Sequence, residues 1–154
     1  MPKESGSLSK ADREMIVIAT STKSNFLYCV VAHRALLRIY AKNPLTVDQV
    51  AVNHHKADIA LRQKAMLDYA IKICLDSQSI TNFDHVALRM HGFDDLDIWD
   101  IAAITAFFGL WNRMTNVTSM RLNAEFYLIG RLSRVNQMYA VFSNTENFSV
   151  FIFL

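Results

Sequence analysis

The hydrophobic positions of the chain repeat mostly at helical spacing, three and four residues apart, and rarely alternate as they do in strands. Short polar stretches and the few glycines and prolines interrupt this pattern. It predicts helices over residues 9–22, 26–41, 46–52, 61–75, 81–91 and 94–118. The sequence therefore predicts an all-α fold.

Polar residues mark where several of these helices begin. The capping-box pattern, a Ser or Thr followed three residues later by an acidic or amide residue, occurs at Ser9 with Asp12, Thr46 with Gln49, and Thr81 with Asp84. Gly92 is placed to end the helix over 81–91. The helix over 94–118 is apolar almost all round, so we expect it to be a central buried element, with Trp99 and Trp111 in the core.

Composition narrows the class of protein. A chain of 154 residues that is 52% hydrophobic and 19% charged is expected to fold as one domain. The net charge is only +2 and the basic residues are dispersed, so no nucleic-acid partner is expected. The longest apolar stretch, 101–111, is shorter than the roughly 20 residues of a membrane span.

Cellular location follows from the N-terminus and the cysteines. The first residues contain no apolar run of the kind found in signal peptides, and two cysteines do not form a disulfide framework. We therefore expect a cytoplasmic protein. The segment 132–154 contains only two charged residues and ends in SVFIFL, with neither a helical stripe nor a hairpin signal, and is predicted to be an irregular apolar tail.

Three residues have the chemistry of a thiol site. Cys29 and His33 are four residues apart on the inward face of the second helix, and Glu14 lies on the helix before it. A helix N-terminus and a nearby imidazole would lower the pKa of Cys29, and Glu14 would orient the imidazole. Without further information the competing interpretation is favoured, because a free cysteine and a lone histidine on an apolar face are often core residues.

No metal site is predicted. His54 and His55 are adjacent and would point in different directions on a helix, and His85 and His91 are six residues apart. Neither spacing is that of a zinc site. Cys74 is predicted to be a packing residue.

The stretch REMIVIATSTKSNFLYCVVAH resembles the core motif of the AhpD-like family, the alkylhydroperoxidase and carboxymuconolactone decarboxylase superfamily, and within it the branch of uncharacterised peroxidase-related proteins. The family motif is a Glu, then a Cys twelve residues on, a second Cys three further and a His four further. The same intervals here give Glu14, Phe26, Cys29 and His33. Three more blocks agree in order, QKAMLDYAIKIC, GFDDLDIWDIAAITAFFGLWNRM and MRLNAEFYLIGR, so the resemblance covers about 8–131 and leaves 132–154 as a separate tail.

The resemblance implies an AhpD-like helical bundle that forms homo-oligomers and works without a cofactor. It also implies that Cys29 attacks a hydroperoxide while Glu14 and His33 relay the proton. Phe26 replaces the first cysteine, which in the family resolves the sulfenic acid, so an external thiol or disulfide reductant would have to restore Cys29. Relatives carry further helices before Ser9, so the bundle is expected to be truncated at the N-terminus.

Two functions follow from the resemblance. The first is an antioxidant peroxidase of the one-cysteine type. The second is a catalytically silent oligomeric or regulatory relative that keeps the fold, which the loss of the resolving cysteine favours. A lactone-type decarboxylase is disfavoured, because those relatives lack the thiol motif that Cys29 retains.

Overall fold

The computed structural model describes residues 7–41 and 43–131, and the predicted tail over 132–154 lies outside the described residues. The described residues form helices and turns and contain no strand, which confirms the all-α prediction. The α-helices are α1 (Lys10–Lys23), α2 (Leu27–Ala41), α3 (Pro44–Asn53), α4 (Leu61–Asp76), α5 (Asn82–Met90), α6 (Asp95–Val117) and α7 (Glu125–Leu128). One-turn 3₁₀-helices follow α3, over His54–Lys56, and α4, over Ser77–Ser79.

The helix at the centre of the fold is α1. It packs against α2, α3, α4 and α6, and every residue from Met15 to Ser21 is buried. The run Met15-Ile16-Val17-Ile18-Ala19 places apolar groups on all sides of the helix, so each neighbouring helix finds an apolar surface on it.

The prediction that α6 is the central buried helix is wrong. Trp99 is 70% exposed and Val117 82% exposed, whereas Ile98 and Ile101 are buried. An apolar composition around the whole circumference shows that a helix can be buried on any face, but it does not show how many faces receive a neighbour. In the described part of the chain α6 packs through one face, and Trp111 is only half-buried.

Most of the predicted helix starts are confirmed. Ser9 and Asp12 form the capping box of α1, and Thr81 and Asp84 form that of α5. The start at Thr46 is wrong: α3 begins two residues earlier, at Pro44, whose fixed φ suits the first helical position, and the Asn43 side chain caps it. Gly92 has a φ of 81°, the left-handed conformation expected after the end of a helix. No helix among the described residues is both long and apolar enough for a membrane crossing.

A buried carboxylate ties the beginning of the described chain to α6. The two oxygens of Asp97 accept hydrogen bonds from the backbone nitrogen of Ser7 at 2.5 Å and from its hydroxyl at 2.7 Å, and the Arg62 guanidinium lies 3.8 Å away. Burial acts to raise the pKa of Asp97, but these hydrogen bonds, one from the backbone of Asp94 and the charge of Arg62 outweigh it and lower that pKa. The ionised form of Asp97 is therefore part of the folded structure.

We expect Asp97→Ala to reduce the free energy of unfolding at pH 7 by about 2–3 kcal/mol, since it removes the Asp97 half of the α6 capping box and hydrogen bonds to a buried charge. The matched control is Asp95→Ala, at an exposed surface ion pair, which should change it by less than about 1 kcal/mol. Urea unfolding measures both.

The contribution of Asp97 to the free energy of unfolding should also depend on pH. A lowered pKa stabilises the folded state above the ordinary value of about 3.9, and that contribution is lost as the pH falls through the folded-state pKa. The difference between wild type and Asp97→Ala should therefore shrink in acid. A difference that stays constant from about pH 7 to about pH 2 would contradict this role.

Candidate active site

The site depends on how the chain turns between α1 and α2. Ser24 donates its backbone N–H to the carbonyl of Thr20, and Phe26 donates its own to the carbonyl of Ser21, at 3.1 and 3.0 Å. Between them Asn25 has a φ of 58°, a left-handed conformation that asparagine tolerates better than most residues. This tight reversal sends α2 back along α1 as its antiparallel neighbour.

The reversal brings Glu14 opposite His33. Phe26 contacts Ser21 across the turn, and Glu14 and His33 are each seven residues further from it on their own helices. Seven residues are about two helical turns, or roughly 10.5 Å, so the two side chains arrive at the same level. The Nδ1 atom of His33 lies 2.6 Å from Oε2 of Glu14, and the two side chains are only 14% and 15% exposed.

The hydrogen bond to Glu14 determines what the imidazole of His33 can do. A carboxylate accepts, so Nδ1 carries the proton and donates it, and in the neutral ring Nε2 keeps its lone pair. The ring packs edge-to-face with Phe108 on α6, with ring centroids 4.7 Å apart and planes at 85°. Sequence reasoning missed Phe108, since a contact between α2 and α6 is not visible in either helix alone. The Glu14 carboxylate thus fixes the orientation of the His33 imidazole, whose Nε2 atom can accept a proton.

Cys29 lies in the first turn of α2, one turn before His33, and is fully buried. The prediction that its pKa is lowered is wrong, because burial raises the pKa of Cys29 to about 11. A helix N-terminus stabilises an anion by about 0.3–1 kcal/mol, whereas two pKa units correspond to about 2.7 kcal/mol. Desolvation therefore outweighs the dipole. Within the described residues no hydrogen bond joins Cys29 to His33.

Phe26 lies at the entrance to the first turn of α2. Its carbonyl accepts the first helical hydrogen bond, from Val30 at 3.2 Å, and its half-buried side chain has no oxygen with which to cap the helix. The position three residues before Cys29 thus contributes apolar surface and no polar or thiol group.

Solved structures of other proteins share this arrangement of helices. One is the crystal structure of an alkylhydroperoxidase AhpD core, an uncharacterized peroxidase-related protein from Ralstonia eutropha JMP134. It is 60% identical with a TM-score of 0.81, over 85% of this chain and 69% of that one. Another, an uncharacterized peroxidase-related protein from Silicibacter sp. TM1040, is 41% identical with a TM-score of 0.79, over 81% of this chain and 65% of that one. The chain belongs to the AhpD-like family of peroxidase-related proteins. Comparisons with protein-family models and with curated proteins gave no match.

In this AhpD-like chain the second cysteine lies against the same turn that positions the site. The Sγ atom of Cys74, on α4, is 3.2 Å from the hydroxyl of Ser24 and 3.8 Å from the carbonyl of Thr20. Cys74 therefore has polar neighbours in addition to its packing role. Its mid-helix location in the sequence did not indicate these polar contacts.

A surface cavity of about 550 Å³ lies beside the start of α2 in this AhpD-like fold. Its walls come from Leu27 and Tyr28, from the end of α6, and from the segment 119–127. Burial, followed by the charge of a Cys29 thiolate, raises the pKa of Tyr28. Tyr28 lines the cavity and Cys29 does not.

The expectation that His54 and His55 point apart is wrong. They belong to the 3₁₀ turn His54–Lys56 and not to an α-helix, and their ring centroids are 4.0 Å apart. Both imidazoles approach Asp68 of α4. The common partner on α4 is a long-range contact, which adjacency along the chain does not reveal.

We expect the Cβ resonance of Cys29, followed by NMR in ¹³C-cysteine-labelled protein, to titrate with a midpoint of about 11. The cause is desolvation, so the midpoint should fall to the free-thiol value of about 8.5 in urea. Cys74→Ser assigns the signal. A folded-state midpoint below about 8.5 would show that the helix N-terminus and His33 outweigh burial.

Proposed function

We propose that this protein is a thiol-dependent peroxidase of the one-cysteine type, in which Cys29 reduces a hydroperoxide and His33 with Glu14 relays the proton. The observation that supports this most strongly is the 2.6 Å hydrogen bond between His33 and Glu14. It holds a basic nitrogen in a mostly buried position, one helical turn from the only thiol on α2.

The proposed first step oxidises Cys29 to a sulfenic acid. Nε2 of His33 accepts the thiol proton, and the sulfur attacks one peroxide oxygen of ROOH. The O–O bond breaks, that oxygen stays on sulfur as Cys29–SOH, and the leaving alkoxide takes the proton from the imidazolium to become ROH. Glu14 accepts the hydrogen bond from Nδ1 throughout and stabilises the transient imidazolium.

The proposed second step uses an external thiol, because Phe26 occupies the resolving position. A thiol R′SH attacks the sulfenic sulfur, forming a mixed disulfide and water. A second R′SH then releases the Cys29 thiol and leaves R′SSR′. The reductant is thus a small thiol or a dithiol protein able to approach the start of α2.

The burial of Cys29 implies slow turnover at neutral pH. With a pKa of about 11 the resting sulfur is a thiol, so each reaction needs its proton removed within the site. A thiol is a much weaker nucleophile than a thiolate. The His33–Glu14 pair would remove the thiol proton, which solvent cannot do at a buried sulfur.

The second candidate function is a catalytically silent member of the family with an oligomeric or regulatory role. Full burial of Cys29 and the absence of a resolving thiol at Phe26 favour it. In that case the Glu14–His33 hydrogen bond only clamps α1 to α2. The two candidates differ in whether Cys29 is oxidised by peroxide in the folded protein.

Self-association is proposed for either function. The face of α6 that carries Trp99, Leu110 and Val117 exposes large apolar side chains among the described residues. A face of this kind is typical of an interaction surface. A homo-oligomer and a cytoplasmic location remain predictions.

We expect Cys29→Ser to abolish the reduction of an organic hydroperoxide coupled to consumption of dithiothreitol. His33→Ala should lower the rate about a hundredfold, and Glu14→Gln, which keeps the shape but not the charge, about tenfold. Cys74→Ser is the control and should retain the rate. Mass spectrometry of the single-turnover product should find one added oxygen on Cys29.

Peroxidase activity that survives Cys29→Ser would disprove the proposed function. A wild-type protein whose Cys29 is never oxidised while it stays folded would instead establish the silent member of the family.

Phe26→Cys tests the geometry of the motif independently of turnover. Phe26 lies at the entrance to α2 and Cys29 in its first turn, three residues on. A disulfide needs Cβ atoms about 3.5–4.5 Å apart, so the variant reports whether the two positions come within that distance. We expect peroxide to oxidise Cys29 to a sulfenic acid that the introduced thiol attacks, releasing water and forming a disulfide, seen as the loss of two hydrogen atoms in the intact mass. Phe26→Ser is the matched control. A folded Phe26→Cys protein that stops at a sulfenic acid would show that the two positions do not face each other.

A further inference from the structure

Three side chains with metal-ligating atoms converge between α3 and α4, on helices that contribute no residue to the thiol site. Nε2 of His54 lies 2.6 Å from Oδ1 of Asp68, and Nε2 of His55 lies 3.3 Å from the same oxygen. One ligand atom from each residue lies within 4.8 Å of the other two. We propose that His54, His55 and Asp68 bind a divalent transition-metal ion, with Zn²⁺ as the ion to test.

The donor set suits this class of ion. Two imidazole nitrogens and one carboxylate oxygen are the ligands of many three-residue zinc sites, which leave a fourth position for water. Hard ions such as Mg²⁺ and Ca²⁺ prefer oxygen donors throughout. The histidines therefore select for Zn²⁺, Ni²⁺, Co²⁺ or Cu²⁺ over the alkaline-earth ions.

Two of the three donor separations can be compared directly with those of a zinc site. Tetrahedral zinc with bonds of about 2.0–2.2 Å places its donor atoms roughly 3.3–3.5 Å apart. The contact between His55 and Asp68 already has this length. The shorter contact of His54 with Asp68 contains a hydrogen-bonded proton, and replacing that proton by an ion requires the two atoms to separate by about 0.8 Å.

Local hydrogen bonds hold the turn that presents the imidazoles. The Asn53 side chain accepts from the backbone N–H of His55, and the N–H of Ala57 donates to the carbonyl of His54. The amine of Lys64 donates to the carbonyl of His55 at 2.9 Å. Two ligands therefore come from a fixed turn and the third from a regular helix, so little order has to be created on binding.

A hydrogen bond that only joins the turn to α4 would explain two of the three residues. His54 is buried, and its contact with Asp68 would be enough for that purpose. It does not explain His55, whose side chain is 62% exposed yet lies against the same carboxylate oxygen. A site for an ion accounts for all three.

The test is a calorimetric titration of the full chain with ZnCl₂, after treatment with a chelator and in the presence of a non-coordinating reductant. We expect saturable binding of one Zn²⁺ per chain. His55→Ala and Asp68→Asn, which change exposed side chains, should each weaken the affinity at least about tenfold, and the control His91→Ala should not. Because the folded protein would bind the ion and the unfolded chain would not hold this geometry, excess Zn²⁺ should also raise the melting temperature of wild type but not of His55→Ala.

Co²⁺ absorption checks the ligand type, since thiolate ligands produce a charge-transfer band that imidazole and carboxylate ligands lack. The site is supported if that band is absent and if His55→Ala and Asp68→Asn both lower the affinity for Zn²⁺. Any one of three results would overturn it: no saturable binding, binding unchanged in both His55→Ala and Asp68→Asn, or a thiolate band. His54→Ala is not needed for the decision, so a folding defect in that buried position leaves the test intact. The proposal does not depend on peroxidase activity.

Discussion

The turn between α1 and α2 is the constraint on which the candidate site depends. The hydrogen bond from Phe26 to Ser21 sets the antiparallel register of the two helices, and that register alone brings Glu14 and His33 to the same level. A shift of one residue in either helix would rotate a side chain by about 100° and separate the pair. Because α1 is also the helix around which α2, α3, α4 and α6 pack, the register is held by the whole core.

The second governing effect is the desolvation of Cys29. The features that activate a thiol, a helix N-terminus and a nearby histidine, are both present, yet the sulfur is fully buried and its pKa is raised. The free energy that the thiolate loses on desolvation is larger than the stabilisation that the helix dipole gives it. The structure therefore has a hydrogen-bonded histidine one helical turn from a buried, neutral thiol, and the proposed chemistry at Cys29 requires proton transfer and nucleophilic attack to be linked.

Surface chemistry distinguishes two further regions. One face of α6 exposes apolar side chains, as at Trp99 and Val117, whereas the turn after α3 presents imidazoles to a carboxylate. The first is suited to contact with another protein surface and the second to a small cation. Both lie outside the Glu14–His33 motif, so they are properties of this fold that the motif does not describe.

Much of the fold could be predicted because its signals are local. Capping boxes at Ser9 and Thr81 and the left-handed Gly92 act within four residues of themselves, and helix ends follow from them. The start of α3 was missed because Pro44 and Asn43 make an equally local but different cap. The spacing of Glu14, Cys29 and His33 was likewise readable, since a motif is a property of order along the chain.

The burial, contacts and exposure that only the tertiary structure decided depend on residues far away in the sequence. The contact of His33 with Phe108 requires α6 to pack near α2, and the exposure of Trp99 requires one face of α6 to lack a neighbour among the described residues. The burial of Cys29 is likewise set by what packs around it. The meeting of His54 and His55 with Asp68 depends on a 3₁₀ turn lying against α4. Sequence determines which helices can form and which faces are apolar, whereas solvation, and with it the pKa of a thiol, is determined by everything that packs around the group.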